Sequence, residues 1–229
     1  MQPEIPLIDM YTLAEENYLK EIYHLSDSGQ SEVTTNAIAE KLKTTPASVT
    51  DMIKKLSQKG LVVYKKYQGV NISQAGKIHA LKIIRKHRLW ETFLVEKLNF
   101  SWDEVHEVAE QLEHIQSPLL VERLEKFLGY PEYDPHGEPI PSATGELKTK
   151  EKVLLADMQT GQQGKVTAVV DSDTNFLQYL DKIGIAIGAT IEVVEEIAYD
   201  QSMLLKIDHL KEVYISQQAS KNIYCTVIL

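Results

Sequence analysis

The chain has 229 residues, of which 43% are hydrophobic and 25% are charged, and its formal net charge is −9. A chain of this length buries a sizeable core and forms two or three domains. No apolar run approaches the roughly 18 residues that a membrane-spanning helix needs, which excludes a transmembrane protein. The start of the sequence lacks a basic segment followed by an apolar one, so we expect no secretory signal and a cytoplasmic protein.

The first 73 residues show the pattern of a winged helix-turn-helix domain. Apolar spacing and capping residues predict three helices and then two short strands, over residues 13–25, 34–42, 46–59, 61–67 and 70–72. Helix, helix, turn, helix and hairpin is the order of elements in this fold. The same topology occurs in packing modules that bind no DNA, but the lysine-rich hairpin favours a DNA-binding domain.

The third predicted helix and the hairpin carry the candidate DNA contacts. Seven lysines and one aspartate lie between Lys41 and Lys66, a local charge of +6 that leaves −15 for the rest of the chain. Small and hydroxyl-bearing residues at the start of the helix permit close approach to base edges, and lysines further on contact phosphates. The predicted contacts are Thr44, Thr45, Pro46, Ala47, Ser48 and Thr50 for bases, and Lys54, Lys55, Lys65 and Lys66 for phosphates.

Three further helices are predicted over residues 73–98, 101–115 and 117–129. Three helices after a winged domain form a natural dimerisation unit. We expect a homodimer, because one recognition helix reads only a few base pairs and two-fold symmetry doubles the footprint on a palindromic operator.

The second of these helices carries a stripe of candidate metal ligands. The stripe consists of His106, Glu110, Glu113 and His114. On a helix these positions share an arc of roughly 100°, which borders the apolar face. Carboxylates buried there need a positive charge, and a divalent cation supplies one. His87 and Glu91, one turn apart on the preceding helix, are candidate ligands from a second element. A solvated polar face is the alternative, and the residues alone leave it open.

Residues 130–149 contain four prolines and two glycines, which predicts a linker. Beyond it, short β-like runs are interrupted by one helical stretch, residues 175–183. The runs cover residues 164–170, 190–197, 203–207, 212–215 and 224–228. Short strands separated by glycines predict a small SH3-like barrel. The fold class is therefore mainly α with a small β domain.

Taken in chain order, these features resemble the diphtheria toxin repressor family of metal-dependent transcriptional regulators, in particular its manganese-responsive, three-domain branch. The resemblance spans nearly the whole chain and is carried by residues 16–19 with 22–23, 85–89 with Glu91, 105–107, 113–114, and 135–137 followed by 140–141. It implies a winged-helix DNA-binding domain over residues 1–73, a helical metal-binding and dimerisation domain over 74–142, and an SH3-like domain, similar to the iron-transport A domain, over 143–229.

The resemblance assigns roles to polar residues one position at a time. It implies a primary metal site at His87, Glu110, Glu113 and His114, and a second or ancillary site at Glu91 and His106. Asn17 matches a ligand position that holds aspartate or methionine in relatives, and His136 is a further candidate ligand with a loop-surface alternative. The C-terminal domain is expected to donate one more oxygen from Asp171, Asp173 or Asn175, of which Asp173 is carried forward.

Glu110 stands where iron-responsive relatives have cysteine. Because Cys225 is the only cysteine, the ligands are nitrogen and oxygen donors. This donor set favours Mn(II) or Fe(II), while Zn(II) and other divalent metals are expected to bind in vitro. Lys20 stands where some relatives have a further acid, and a protonated lysine does not bind metal.

The resulting hypothesis is a metal-dependent repressor of manganese or iron uptake genes, with Mn(II) or Fe(II) as corepressor and double-stranded operator DNA as partner. It implies no enzyme activity, no small-molecule substrate and no membrane partner. A winged-helix regulator of another effector is one alternative. A metal-dependent hydrolase is the other, and the sequence opposes it because we find no nucleophile–base arrangement and no phosphate-binding glycine loop.

Overall fold

A computed structural model describes residues 11–65, 69–148, 151–170 and 173–228. These residues form two compact units. The first comprises the chain through Lys86 with Glu113–Gln116 and Pro141–Glu146, and the second comprises His87–Leu112, Ser117–Ile140 and the chain from Leu147 onward. No helix in the described ranges is long and apolar enough to cross a membrane.

The first unit contains the winged helix-turn-helix. Its elements are α1 (Leu13–Leu25), α2 (Thr35–Lys41), α3 (Pro46–Gln58) and the antiparallel strands β1 (Val62–Lys65) and β2 (Gly69–Ile72). The hydroxyls of Thr12, Thr34 and Thr45 cap the three helices by accepting a backbone N–H that has no partner within the helix. Leu19 on α1 and Val70 on β2 are fully buried in one shared core, so the wing is part of the same folded body as the helices.

Three helices follow, α4 (Gln74–Leu98), α5 (Val105–Leu112) and α6 (Pro118–Phe127). Helix α4 gives its residues through Lys86 to the first unit and the rest to the second. Within the second unit, Leu94 packs with Val105 and Ala109, and Leu89 packs with Leu124. These contacts bury the apolar faces that the helical periodicity predicts.

Helix α5 is shorter than the sequence predicts. It ends at Leu112, and Glu113 and His114 lie in the turn that follows. Ser117 is extended (φ −108°, ψ 100°) because it precedes Pro118, which begins α6, so the helical path has to stop ahead of it. The prediction that four ligands share one helix face is therefore wrong for Glu113 and His114.

The stretch predicted as a linker is a packed segment over its described residues. Asp134 and His136 are buried. Gly137 has a φ of +83°, and a Cβ there would lie 1.9 Å from the carbonyl oxygen of Thr167. Only glycine permits that approach. The prediction of a linker is wrong because proline and glycine content predicts turns but does not determine whether they are exposed.

The rest of the second unit is built on a six-stranded antiparallel sheet with the order β3-β8-β4-β5-β6-β7. The strands are β3 (Val153–Leu154), β4 (Gln163–Val169), β5 (Thr190–Glu196), β6 (Met203–Ile207), β7 (Lys211–Ile215) and β8 (Ile223–Ile228), with helices α7 (Thr174–Ile183) and α8 (Gln217–Ser220). The sequence missed β3 and α8, which are too short to show periodicity. Cys225 is fully buried in the core of this sheet, and burial raises the pKa of its thiol to about 12. The predicted fold class, mainly α with a small β domain, is confirmed.

Candidate metal centre

In the second unit, three histidines surround Glu91 on α4. Oε1 of Glu91 lies 2.9 Å from Nε2 of His87, one turn earlier on α4, and 3.5 Å from Nδ1 of His106 on α5. Oε2 lies 3.8 Å from Nδ1 of His136. The Glu91 side chain is 1% exposed, so imidazole rings have replaced the water around its carboxylate. The structure brings together the sequence-predicted residues Glu91, His106 and His136.

Glu91 belongs to two groups of candidate ligands. The groups are His87, Glu91 and His106, and Glu91, Asp134 and His136. In each group, one ligand atom per residue lies within 4.8 Å of the others. Oδ1 of Asp134 accepts the backbone N–H of His136 and that of Glu138, both at 2.9 Å. The turn itself therefore fixes the Asp134 carboxylate beside Glu91.

The imidazole of His136 is held by a carbonyl group on its far side. Nε2 lies 2.8 Å from the backbone oxygen of Trp102, which can only accept, so Nε2 carries a proton and Nδ1 faces Glu91. The Trp102 ring stacks on the imidazole at 6.0 Å with an interplanar angle of 15°. Metal-binding histidines are commonly oriented in this way by a backbone carbonyl. His136 is fully buried, so the loop-surface interpretation of this residue is wrong.

The charges in this cluster depend on one another. Burial alone would raise the pKa of Glu91, but the charge of His87 and hydrogen bonds from neighbouring imidazoles hold it well below its usual range. Burial, and then the charge of Glu91, raise the pKa of Asp134 to about 7, even though Nε of Arg88 lies 3.4 Å from its carboxylate. Burial and the charge of Glu91 thus disfavour the ionised form of Asp134. A divalent cation next to both carboxylates would stabilise their ionised forms.

Glu113 and His114 lie in the first unit, beside α1. Oε1 of Glu113 accepts a hydrogen bond from Nζ of Lys20 at 2.7 Å. Nδ1 of His114 contacts one carboxylate oxygen of Glu16, and Gln116 donates to the other at 2.7 Å. Nε2 of His114 then lies 3.7 Å from Oε1 of Glu113. The Glu16 carboxylate holds Nδ1 of His114 and thereby orients Nε2 towards Glu113. In this orientation one metal ion can bind both His114 and Glu113.

Asn17 provides an independent test of whether a cation fits here. Its Oδ1 is buried and has no hydrogen-bond partner among the described residues, which is costly for an amide oxygen. Asn17 lies on α1, the helix whose Glu16 and Lys20 contact the Glu113–His114 turn. A buried, unsatisfied amide oxygen on the helix that contacts Glu113 and His114 is compatible with a divalent cation such as Mn(II) or Fe(II).

Of the four predicted primary ligands, His87 and Glu110 belong to the second unit, and Glu113 and His114 belong to the first. Within the second unit, Oε1 of Glu110 lies 3.6 Å from Nε2 of His106. The complete set of four stays a prediction.

Asp173 caps helix α7 in the described part of the chain. It is exposed, and its Oδ1 caps α7 by accepting the backbone N–H of Asn175 at 2.8 Å. This oxygen therefore satisfies the first turn of a helix, and the ligand role of Asp173 stays a prediction. Asp171, the neighbouring candidate, lies outside the described residues.

Helix α3 presents the residues predicted to read DNA. Its exposed first-turn residues are Thr45, Pro46, Ala47 and Ser48, while Thr44 and Thr50 are half-buried. The predicted phosphate contacts Lys54, Lys55 and Lys65 are exposed, and Lys66 lies outside the described residues. The hydroxyl of Thr45 caps the helix, and that of Thr50 donates to the carbonyl of Pro46 at 2.9 Å. The exposed side chains at the start of this helix are therefore small, which permits the close approach to base edges that the prediction requires.

The sequence did not predict the contacts that three residues make in these sites. Asp134 completes the second group, and its signal in the sequence is its place two residues before His136. Glu16 and Lys20 contact His114 and Glu113 across 98 and 93 residues of chain, so no local pattern indicates these contacts.

Three family models match the chain in succession. The N-terminal DNA-binding domain of iron-dependent repressors matches residues 10–70, their metal-binding and dimerisation domain matches 73–142, and the FeoA domain matches 153–227.

Relatives with similar sequences include repressors from two bacteria. The diphtheria toxin repressor of Corynebacterium diphtheriae is 30% identical over 193 residues, which cover 79% of this chain and 84% of that protein. The iron-dependent repressor IdeR of Mycobacterium leprae is 28% identical over 190 residues, covering 78% and 82%.

Solved structures with the same fold include two described with bound metal. A manganese-dependent transcriptional repressor in complex with manganese has a TM-score of 0.86 and 34% identity, and the match covers 93% of this chain and 100% of that one. ScaR with bound zinc has a TM-score of 0.78 and 33% identity, covering 93% and 98%.

Proposed function

The chain belongs to the diphtheria toxin repressor family of metal-dependent transcriptional regulators, and from this premise we propose that it represses metal-uptake genes as a homodimer on palindromic operator DNA. Mn(II) or Fe(II) is the corepressor. The domains are residues 1–73 for DNA binding, 74–142 for metal binding and dimerisation, and 143–229 for the SH3-like domain. The chain has no catalytic role in this proposal.

One observation carries the proposal. Glu113 and His114 lie in the same compact unit as the winged helix-turn-helix and contact α1, its first helix. A metal ion held by these two residues, together with His87 and Glu110, bears directly on the domain that reads DNA. Corepression needs such a link, because a ligand shifts an equilibrium only through contacts that differ between the two states.

The donor atoms support the metal. The proposed ligands are imidazole nitrogens and carboxylate oxygens, with Asn17 as a further oxygen, and the fully buried Cys225 lies in the sheet core. Such a set suits Mn(II) and Fe(II), and it also binds Zn(II), which most nitrogen and oxygen sites hold more tightly. Structures of relatives described with manganese, cadmium and zinc support the same range of metals.

The buried group around Glu91 supports a second metal position. Asp134 and His136 complete it, and His106 approaches the same carboxylate. We assign this group to the predicted ancillary site of Glu91 and His106, and Asp173 stays the proposed donor of one more oxygen from the C-terminal domain.

A gel-shift titration of operator DNA in chelator, Mn(II), Fe(II) and Zn(II) tests the proposed function. We expect at least about 100-fold tighter binding with Mn(II) or Fe(II), which corresponds to about 2.7 kcal/mol of coupling. Equal binding in chelator and in metal would contradict corepression.

Variants separate the metal site from the fold. His87→Ala and Glu113→Ala are expected to lose the metal response, while His24→Ala, which replaces an exposed histidine on α1, keeps it. Circular dichroism and sedimentation of each variant show whether the protein stays folded and dimeric.

A further inference from the structure

Lys20 and Glu113 form a buried ion pair between α1 and the turn after α5. Nζ of Lys20 lies 2.7 Å from Oε1 of Glu113, and the two side chains are 6% and 0% exposed. Removing one member of such a pair leaves a buried charge without compensation, which commonly costs several kcal/mol. The ammonium group therefore supplies the positive charge that this carboxylate needs.

The oxygen that Lys20 holds belongs to a proposed metal ligand. Nε2 of His114 lies 3.7 Å from the same atom, Oε1 of Glu113. A metal ion that binds His114 and this oxygen takes the place now filled by the ammonium. Two cations at one carboxylate oxygen repel each other strongly in a dry environment, so they do not share it.

Helix α1 also contains the acceptor for a displaced ammonium group. Glu16 precedes Lys20 by four residues, the spacing at which glutamate and lysine side chains pair on a helix surface. The Glu16 carboxylate already lies near a lysine, because Nζ of Lys86 is 3.9 Å from its Oε1, and Nδ1 of His114 contacts its other oxygen. Burial lowers the pKa of Lys86, while the charges of Glu16 and Glu113 oppose that shift.

We propose that Lys20 is a resident counter-ion that competes with the corepressor metal for Glu113, and that it moves to Glu16 when metal binds. This inference rests on the proposed function. Lys20 keeps its proton throughout and exchanges one carboxylate for another. It lowers metal affinity by stabilising the metal-free protein, so it sets the metal concentration at which the repressor responds.

The test measures Mn(II) affinity of the metal-stripped full chain by the electron paramagnetic resonance signal of free Mn(II). Lys20→Met removes the ammonium group, and we expect Mn(II) to bind at least about tenfold tighter at the Glu113 site. Lys20→Arg keeps the charge and is expected to bind within about threefold of the wild type. Thermal denaturation provides a second readout: the metal-free Lys20→Met protein melts at a lower temperature, and Mn(II) raises that temperature more than in the wild type.

Lys59→Met is the matched control. Lys59 also pairs with a buried carboxylate on α1, with Nζ 2.7 Å from Oε1 of Glu15, and Glu15 is not a proposed ligand. The control loses the same charge from a pair in which the carboxylate is buried but the lysine side chain is 41% exposed, so its Mn(II) affinity is expected to stay within about twofold of the wild type.

The outcomes distinguish this inference from the proposed function. Unchanged or weaker Mn(II) binding by Lys20→Met, or equal tightening in Lys59→Met, would overturn the competition while leaving the repressor function intact. Failure of the wild type and all variants to bind Mn(II), together with operator binding that is equal in chelator and in Fe(II), would overturn both. Should Lys20→Met not fold without metal, Lys20→Gln, which keeps a neutral donor, replaces it with the same expected direction.

Discussion

Nε2 of His87 lies 2.9 Å from Oε1 of Glu91, one helical turn further along α4. The other oxygen of this carboxylate faces His136, so Glu91 is common to both groups of candidate ligands in the second unit. A cation that binds there replaces contacts that imidazoles now make. A change at Glu91 therefore affects every ligand around it.

We expect Glu91→Gln to lose one bound Mn(II) per subunit. Glutamine has the same shape as glutamate but carries no charge. Imidazole ligands are neutral when they bind a metal, so they cannot replace the charge that offsets a divalent ion. Equilibrium dialysis with elemental analysis measures the number of ions bound. Glu96→Gln, at an exposed position of α4, is the control, and full stoichiometry in both variants would contradict the assignment.

The stability of the metal-free protein is expected to depend on Asp134. Its pKa is about 7 in the folded chain and close to 3.8 when unfolded, so the folded state binds the proton more tightly. The resulting stabilisation is present below pH 4 and is lost as the pH rises towards 7, by up to about 4 kcal/mol. Glu91 has a lowered pKa, and its contribution is lost as the pH falls below about 4.5, outside this window.

Urea unfolding of the wild type and Asp134→Asn in EDTA checks this dependence. The free energy of unfolding of the variant, relative to the wild type, is expected to increase between pH 5 and 7.5. Asparagine keeps the Oδ1 that accepts from His136 and Glu138, so the turn stays formed. A difference that does not change with pH would show that Asp134 is ionised throughout.

Gly137→Ala is expected to destabilise the second unit by more than about 2 kcal/mol. A Cβ would meet the carbonyl oxygen of Thr167 at 1.9 Å, and the positive φ of +83° adds strain. Gly129→Ala has a similar φ of +76° with no atom within 4 Å, and is expected to cost about 1 kcal/mol. Urea unfolding compares the two variants, and equal losses would mean that the close approach to Thr167 is not needed.

Ala47→Tyr is expected to weaken operator binding by at least about 100-fold. Ala47 is exposed in the first turn of α3, where a large side chain holds the helix away from base edges. Gln58→Tyr, at the exposed last residue of the same helix, is the control. Fluorescence anisotropy with labelled operator in Mn(II) measures both, and equal affinity for Ala47→Tyr and the wild type would exclude this surface as the reader.

Local patterns in the sequence predicted the winged domain well. Helix α1 spans Leu13–Leu25 as expected, because apolar periodicity and a polar cap determine such a helix without distant contacts. The histidine pair of α4 and α5 was found for the same reason, since its members contact Glu91 from regular helices.

Features that depend on distant contacts were not predictable in this way. Glu113 has the spacing of a residue on α5, yet it lies beyond the helix end and pairs with Lys20, 93 residues away. Asp134 has only a weak local signal, its place two residues before His136, because its role arises when an irregular turn is buried near Glu91. Periodicity describes neighbours along the chain, whereas ion pairs in the interior depend on tertiary structure.

The buried thiol of Cys225 has a consequence for oxidative chemistry. With a pKa of about 12 and no exposure, it holds almost no thiolate at neutral pH, and thiolate is the form that peroxide attacks. Cys225 is the only cysteine, and the candidate ligand groups consist of histidines and carboxylates. Oxidation of a cysteine therefore cannot change the ligands of the metal. The folded repressor is therefore expected to keep its metal response in the presence of oxidants that inactivate thiol-dependent sensors.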